Sequence, residues 1–146
     1  MPGSDTAAVR LAGQVLAPAG SGLVLAEWTA AGSTGDTPMY QAPLHSHAEE
    51  DEAWYVLTGT LAVRVGEEVT EVPAGGAAVV PAGAVHTYWN PRPEPARYVL
   101  VMGARTHALI EAIHTAQDRS TEAMRALFAS YGSTYLGWTP PPTAGR

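Results

Sequence analysis

Short extended segments separated by glycine and proline constrain the fold of this chain more than any other feature of its sequence. The clearest segment is 60–65, in which Leu61, Val63 and Val65 alternate with less apolar residues. A period of two is typical of a β-strand with one buried face. Comparable segments follow one another as far as residue 103, so the pattern predicts an all-β sandwich or barrel.

The strands are expected between turn-forming stretches such as 18–22, 81–83 and 91–95. Gly59 and Gly66 lie inside the longest extended stretch, where we expect each to form a tight hairpin turn. The predicted strands are 9–17, 23–30, 39–47, several within 53–72, and then 77–80, 85–89 and 97–102.

The pattern changes to helical spacing after residue 103. Apolar residues recur first at Leu109, Ile110 and Ile113 and then from Met124 to Tyr131, which predicts two short helices. Ser120 is placed to cap the second helix and Gly132 to end it. We expect one domain over 1–146: a core barrel over about 9–104, a helical extension over 105–132 packed outside the barrel or on a partner subunit, and an extended or disordered tail over 133–146.

Composition excludes several functional classes. The net charge of −6 and the absence of a basic cluster among eight Lys and Arg residues argue against nucleic acid and anionic membrane surfaces. The chain has no cysteine, which excludes disulfides and thiolate metal sites. Residues 1–10 lack a signal-peptide pattern, and no apolar run reaches membrane-spanning length, so we expect a cytoplasmic protein.

A group of histidines and a carboxylate indicates a metal site. His45 and His47 are two residues apart, so on a strand both imidazoles point to one face. Glu52 follows after a short turn, and His86 lies on a separate predicted strand. Three imidazoles and one carboxylate suit a divalent transition metal, namely iron, manganese, nickel, copper, cobalt or zinc, better than calcium or magnesium.

The spacing around these residues resembles the two signature motifs of the cupin superfamily. Residues 45–59 read H-x-H-x4-E-x6-G, and residues 75–90 read G-x5-P-x-G-x2-H-x3-N. One position departs from the family pattern, since Met39 stands where cupins usually have a glycine. The resemblance implies a jelly-roll β-barrel with the metal inside, near one mouth. It also implies that the small single-domain chain forms a homodimer.

Strand alternation predicts which neighbours face the metal. Counting in steps of two from the expected ligands places five residues in a substrate pocket: Met39, Gln41, Trp54, Val56 and Tyr88. Asn90 is expected to bond backbone at a strand end. Glu49, Glu50 and Asp51 are expected to form a solvated acidic rim, and His107 and His114 to be exposed on the first helix.

Cupins resembling quercetin-type dioxygenases use this set of three histidines and one glutamate. The resemblance therefore implies a metal-dependent dioxygenase acting on a small aromatic or enolisable metabolite, with Glu52 as a permanent ligand or as a general base. Two alternatives stay open: a Lewis-acid lyase, cyclase or isomerase of secondary metabolism, and a non-catalytic module that binds a small molecule. The sequence contains no Ser-His-Asp pattern or phosphate loop that would favour hydrolase or nucleotide chemistry.

Overall fold

Two antiparallel sheets and two helices make up the described part of the chain. The computed structural model describes residues 9–33, 35 and 37–138. Its elements are β1 Val15–Leu16, β2 Leu23–Ala30, β3 His45–His47, β4 Glu52–Thr58, β5 Thr60–Val65, β6 Glu68–Pro73, β7 Ala77–Val80, β8 His86–Trp89, β9 Ala96–Gly103, α1 Ala104–Thr115, α2 Thr121–Ser130 and β10 Ser133–Tyr135.

The strands form a sandwich of two five-stranded sheets. Sheet I has the order β1-β2-β9-β4-β7, and sheet II has the order β10-β3-β8-β5-β6. Strand β9 shows the expected alternation, since Tyr98, Leu100 and Met102 are buried while the residues between them are more exposed. These side chains pack with Trp54 and Leu61 in one core between the sheets. The prediction of a mostly β fold with two helices is thus confirmed, and the expected barrel takes the form of two facing sheets.

Gly59 does not form the predicted hairpin. Strand β4 pairs with β7 and β9 in sheet I, whereas β5 pairs with β6 and β8 in sheet II. Gly59, with a φ of 79°, therefore carries the chain from one sheet to the other. A Cβ at this position would approach the backbone of Ala96 to 2.8 Å. The Gly66 hairpin is confirmed, because Val65 pairs directly with Glu68.

Two of the predicted strands are much shorter than expected. The first is reduced to Val15–Leu16 and the third to His45–His47, preceded by an isolated bridge between Tyr40 and Trp89. Pro43 interrupts the third segment, because a proline has no N–H to donate to a ladder. The backbone between residues 40 and 45 consequently bends, and alternation cannot be extended back through it.

Both predicted helices are present. Ser120 caps α2 by accepting a hydrogen bond from the backbone N–H of Ala123 at 3.2 Å, and Gly132 follows with a φ of 72°. A second apolar cluster joins Leu109 of α1 to Phe128 of α2. No helix in the part of the chain that the structure describes is long and apolar enough to cross a membrane.

The tail after α2 begins with a paired strand. Residues 133–135 form β10, which pairs antiparallel with β3 at the edge of sheet II. This stretch is extended, as expected, and it is paired as a strand of the sheet. The part of that expectation that concerns 139–146 lies outside the described residues.

Candidate metal centre

Four side chains from three strands converge on one point. The Nε2 atoms of His45 and His47 are 3.1 Å apart, and Glu52 Oε1 lies 3.2 Å from His47 Nε2 and 2.9 Å from His86 Nε2. All four candidate ligand atoms lie within 4.8 Å of one another, and all four residues are buried. Separations of about 3 Å are those of neighbouring ligands around an ion bound at about 2.1 Å.

The topology explains this convergence. His45 and His47 occupy alternate positions of β3, and β4 begins at Glu52. His86 begins β8 and is the direct cross-strand partner of His45. Sheet II thus supplies the three imidazoles, and the facing sheet supplies the carboxylate.

Hydrogen bonds at the far side of each ring orient the imidazoles. His45 Nδ1 lies 2.6 Å from the carbonyl oxygen of Pro43, and His86 Nδ1 lies 2.9 Å from that of Ala84. A carbonyl only accepts, so in both rings Nδ1 carries a proton, and when the ring is neutral the lone pair of Nε2 faces the centre. His47 Nδ1 contacts Ser133 Oγ at 2.7 Å. The donor set therefore fits a divalent transition metal.

Electrostatics favour the protonation states that a cation needs. Burial, together with the nearby His86 and His47, lowers the pKa of His45 to about 3, so this ring is neutral at pH 7. Burial alone would raise the pKa of Glu52. Hydrogen bonds and charge from His47 and His86 outweigh burial and lower the Glu52 pKa to about 2. The centre thus presents a carboxylate at neutral pH, which balances part of the charge of a divalent ion.

The ligands form one wall of a cavity of about 450 Å³. His45, His47 and Glu52 all line it. The other walls are largely apolar and come from sheet I and both helices: Trp28, Leu100, Leu109, Ile110, Ile113 and Phe128. The helices therefore do more than pack outside the sandwich, because residues of both helices line the cavity beside the candidate metal centre. The phenyl ring of Phe128 lies edge-on to His45, with ring centres 5.9 Å apart.

The five residues predicted to form a pocket separate into three groups. Gln41 and Tyr88 line the cavity. Trp54 and Val56 point inward but belong to the core between the sheets, where the Trp54 ring packs 5.9 Å from His86. Met39 is 59% exposed, which corrects its placement as an apolar wall. The prediction for Met39 extends the period of two back from His45 through the bend at 40–45, where side chains no longer alternate.

The acidic segment before Glu52 is mainly structural. Glu50 Oε1 accepts hydrogen bonds at 2.8 Å from the N–H and the hydroxyl of Thr106, at the N-terminus of α1. Asp51 Oδ1 accepts from the N–H of Ala82 at 2.8 Å, in the turn before His86. The predicted solvated rim holds for Glu49 and Asp51, which are exposed, whereas Glu50 is half-buried against α1.

The remaining polar predictions have mixed outcomes. Asn90 does bond backbone, donating to the carbonyl oxygen of Glu94 at 2.6 Å. His114 is exposed as expected but lies at the edge of the cavity, whereas His107 is half-buried beside Glu111.

Two residues at the site were not predicted. Tyr98 lines the cavity, and its hydroxyl lies 2.7 Å from that of Tyr88. Burial raises the pKa of both phenols, that of Tyr98 to about 12, so both stay protonated. Alternation along β9 was a usable signal for Tyr98. No sequence signal indicated the second residue, Ser133, because it meets His47 only through the pairing of β10 with β3.

The central part of the chain is similar to known proteins. Residues 37–102 match the family model described as the cupin domain. A crystal structure of TT1209 from Thermus thermophilus is similar at 29% identity, covering 61% of this chain and 80% of that one, with a TM-score of 0.50. No curated protein matches the chain significantly.

Two further structures support the fold alone. A cupin protein from Bacteroides fragilis has a TM-score of 0.53 at 14% identity, covering 70% of this chain and 85% of that one. The cupin domain of Cnp3 from Schizosaccharomyces pombe has a TM-score of 0.51 at 14% identity, covering 73% and 69%.

Proposed function

We propose that this chain, whose residues 37–102 match the cupin-domain family model, is a metal-dependent, dioxygenase-like oxidoreductase acting on a small aromatic or enolisable metabolite. One observation carries the proposal: the ligand group forms a wall of a mainly apolar cavity of about 450 Å³, a volume suited to a small organic molecule. A purely structural metal site needs no such space, because its ligands close around the ion.

The chain's own residues have three tasks in this reaction. His45, His47, His86 and Glu52 hold the ion, which when bound supplies Lewis acidity and, for a redox metal, electron transfer with dioxygen. The apolar walls, with the Phe128 ring beside His45, exclude water and hold a flat substrate against the ligand wall. Glu52 is ionised and buried at this wall, so it is placed to accept the proton of a substrate hydroxyl.

The paired phenols give the cavity a hydrogen-bond donor. Either Tyr88 or Tyr98 donates to the other, which leaves one hydroxyl hydrogen without an acceptor among the described residues. A buried donor of this kind favours a ligand that brings an acceptor. The substrate we propose therefore has a metal-binding enol or phenol oxygen and a second oxygen within reach of the phenols.

A Lewis-acid lyase, cyclase or isomerase is the second candidate. It is favoured by the same carboxylate and phenols, because a base and a donor around one cavity suffice for proton transfer without oxygen. The small-molecule substrate and the homodimer stay predictions; the molar mass in solution tests the latter.

Elemental analysis of the purified protein, followed by oxygen uptake with a panel of small phenols and enols, tests the proposal. We expect near-stoichiometric iron, manganese, nickel or copper and substrate-dependent uptake. Glu52→Gln should remove most turnover, while Glu49→Gln, an exposed carboxylate in the same acidic segment, should keep it.

The opposite results discriminate among the candidates. Substrate conversion without oxygen uptake would replace the oxidoreductase with the Lewis-acid reaction. Tight binding of a panel compound without any conversion would indicate the binding module. Unchanged turnover in Glu52→Gln would remove this carboxylate from the mechanism.

A further inference from the structure

The strand that carries two of the ligands receives most of its backbone pairing from the C-terminal strand. Strand β3 has a single residue pair with β8, formed by His45 and His86. All three of its residues pair with β10, as Ser133 with His47, Thr134 with Ser46 and Tyr135 with His45. Flanking hydrogen bonds extend this contact, from Ala48 N–H to the Gly132 carbonyl at 2.9 Å and from Leu44 N–H to the Gly137 carbonyl at 3.0 Å.

The same strand supplies the buried side-chain partner of His47. Ser133 is 7% exposed, and its Oγ lies 2.7 Å from His47 Nδ1. His47 binds an ion through Nε2 only when Nε2 is free of a proton, which places the proton of the neutral ring on Nδ1. Ser133 Oγ is the acceptor for that proton among the described residues. Without the Ser133 hydroxyl, the proton on Nδ1 loses its acceptor. The His47 ring then favours the tautomer that carries the proton on Nε2, and this nitrogen can no longer bind an ion.

We propose that β10 is part of the metal centre, with Ser133 as the residue that positions His47, and that metal binding and the docking of β10 stabilise each other. This segment lies outside the residues that match the cupin domain. The inference rests on the proposed metal centre but not on the reaction performed there. Reciprocity follows from linkage: if docked β10 strengthens metal binding, bound metal strengthens docking by the same factor.

Zinc affinity tests the side-chain part of the proposal. Zinc is a redox-silent probe, and its dissociation constant is measured by competition with a coloured chelator. Ser133→Ala should weaken zinc binding about 10- to 100-fold, the usual effect of losing a hydrogen bond behind a ligand histidine. Ser133→Thr keeps the hydroxyl and should restore the affinity. Thr134→Ala, an exposed neighbour on the same strand, is the matched control.

Hydrogen exchange tests the reciprocal part. Zinc should slow amide exchange in residues 131–138 of the wild type, and the protection should be smaller in Ser133→Ala. Circular dichroism before and after zinc addition shows that each variant is folded, and Ser133→Thr provides a folded comparison if the alanine variant is unstable.

Two results would overturn the inference alone: equal zinc affinity in Ser133→Ala and Thr134→Ala, or exchange in 131–138 that zinc leaves unchanged. A wild-type protein that binds no zinc, iron, manganese, nickel, cobalt or copper would instead overturn the metal centre itself, and with it the proposed function.

Discussion

His86 joins Glu52 through a contact that a neutral ring cannot satisfy. Its Nε2 lies 2.9 Å from Glu52 Oε1, while its Nδ1 lies 2.9 Å from the carbonyl oxygen of Ala84. Both partners are acceptors, and a neutral imidazole has one proton to donate. A cation at the centre satisfies Nε2 and the carboxylate together and leaves the proton on Nδ1. The geometry of this pair therefore fits a bound cation.

Removing His86 should abolish stoichiometric metal binding. His86→Ala removes one of the four candidate ligands and the ring that contacts Glu52, so metal content after dialysis should fall well below one ion per chain. The fold should persist, because the core between the sheets is unchanged, although loss of a buried side chain lowers the melting temperature. Elemental analysis and circular dichroism measure both quantities. His107→Ala, on α1 and outside the ligand group, serves as control; full occupancy in His86→Ala would contradict the site.

The phenol pair should affect ligand binding more than stability. Replacing both tyrosines, as Tyr88→Phe with Tyr98→Phe, removes the donor that the pair offers to the cavity, because either hydroxyl alone could still donate. We expect the affinity of this double variant for 4-nitrocatechol, an aromatic enediol probe, to fall about 10-fold. Optical titration of the metal-loaded protein measures this. Tyr40→Phe is the control, since the Tyr40 hydroxyl is buried without a partner in the described chain and lies outside the cavity. Equal affinities in the two variants would exclude the phenol pair from ligand binding.

The metal-free protein should lose stability in acid. The pKa of His45 is lowered from 6.5 to about 3 by folding, so below about pH 6.5 the unfolded chain binds a proton that the folded chain does not. The free energy of unfolding therefore falls as the pH drops from 6.5 toward 3. Glu52 acts in the same direction between pH 4.5 and 2, because its folded pKa is also lowered.

Urea unfolding of chelator-treated protein at pH 8 and pH 5 measures this pH effect. His45→Gln is a variant without the titrating ring and should show a smaller difference between the two pH values. A wild-type stability that is equal or higher at pH 5 would contradict the assignment.

The contact between Glu50 and Gly103 should control the start of α1. Gly103 is the N-cap residue and has no side chain to cap the helix, so the Glu50 carboxylate accepts from the first turn instead. A Cβ on residue 103 would overlap that carboxylate. Gly103→Ala should therefore lower the free energy of unfolding by about 1–2 kcal/mol, as for the loss of a cap. Gly22→Ala is the control, because its new Cβ has no atom within 4 Å. Equal urea midpoints for the Gly103→Ala and Gly22→Ala variants would contradict a role of the Glu50 carboxylate in capping α1.

Several features of this protein were accessible from the sequence because they depend on short-range periodicity. The alternation in 60–65 and 97–102 marked buried strand faces, and helical spacing marked α1 and α2. The ligand group was accessible for a related reason. His45 and His47 share a face at i and i+2, and the spacing to Glu52 and His86 follows a pattern that few other folds require.

Strand pairing was not accessible in the same way. Alternation indicates which face of a strand is buried but not which strand pairs with it. The sequence therefore predicts a hairpin at Gly59, although this residue joins strands of two different sheets. Met39 was misplaced because a period of two was counted across a bend that Pro43 interrupts.

The sequence by itself determined the β-rich core and the four residues of the candidate metal centre, since both follow from residues close together in the chain or from a spaced motif. Only the tertiary structure decided what surrounds that centre. Ser133 meets His47 across 86 residues, and Glu50 meets Thr106 across 56. Such contacts depend on how sheets and helices pack against one another. This packing produces no periodic pattern in the sequence from which it could be predicted.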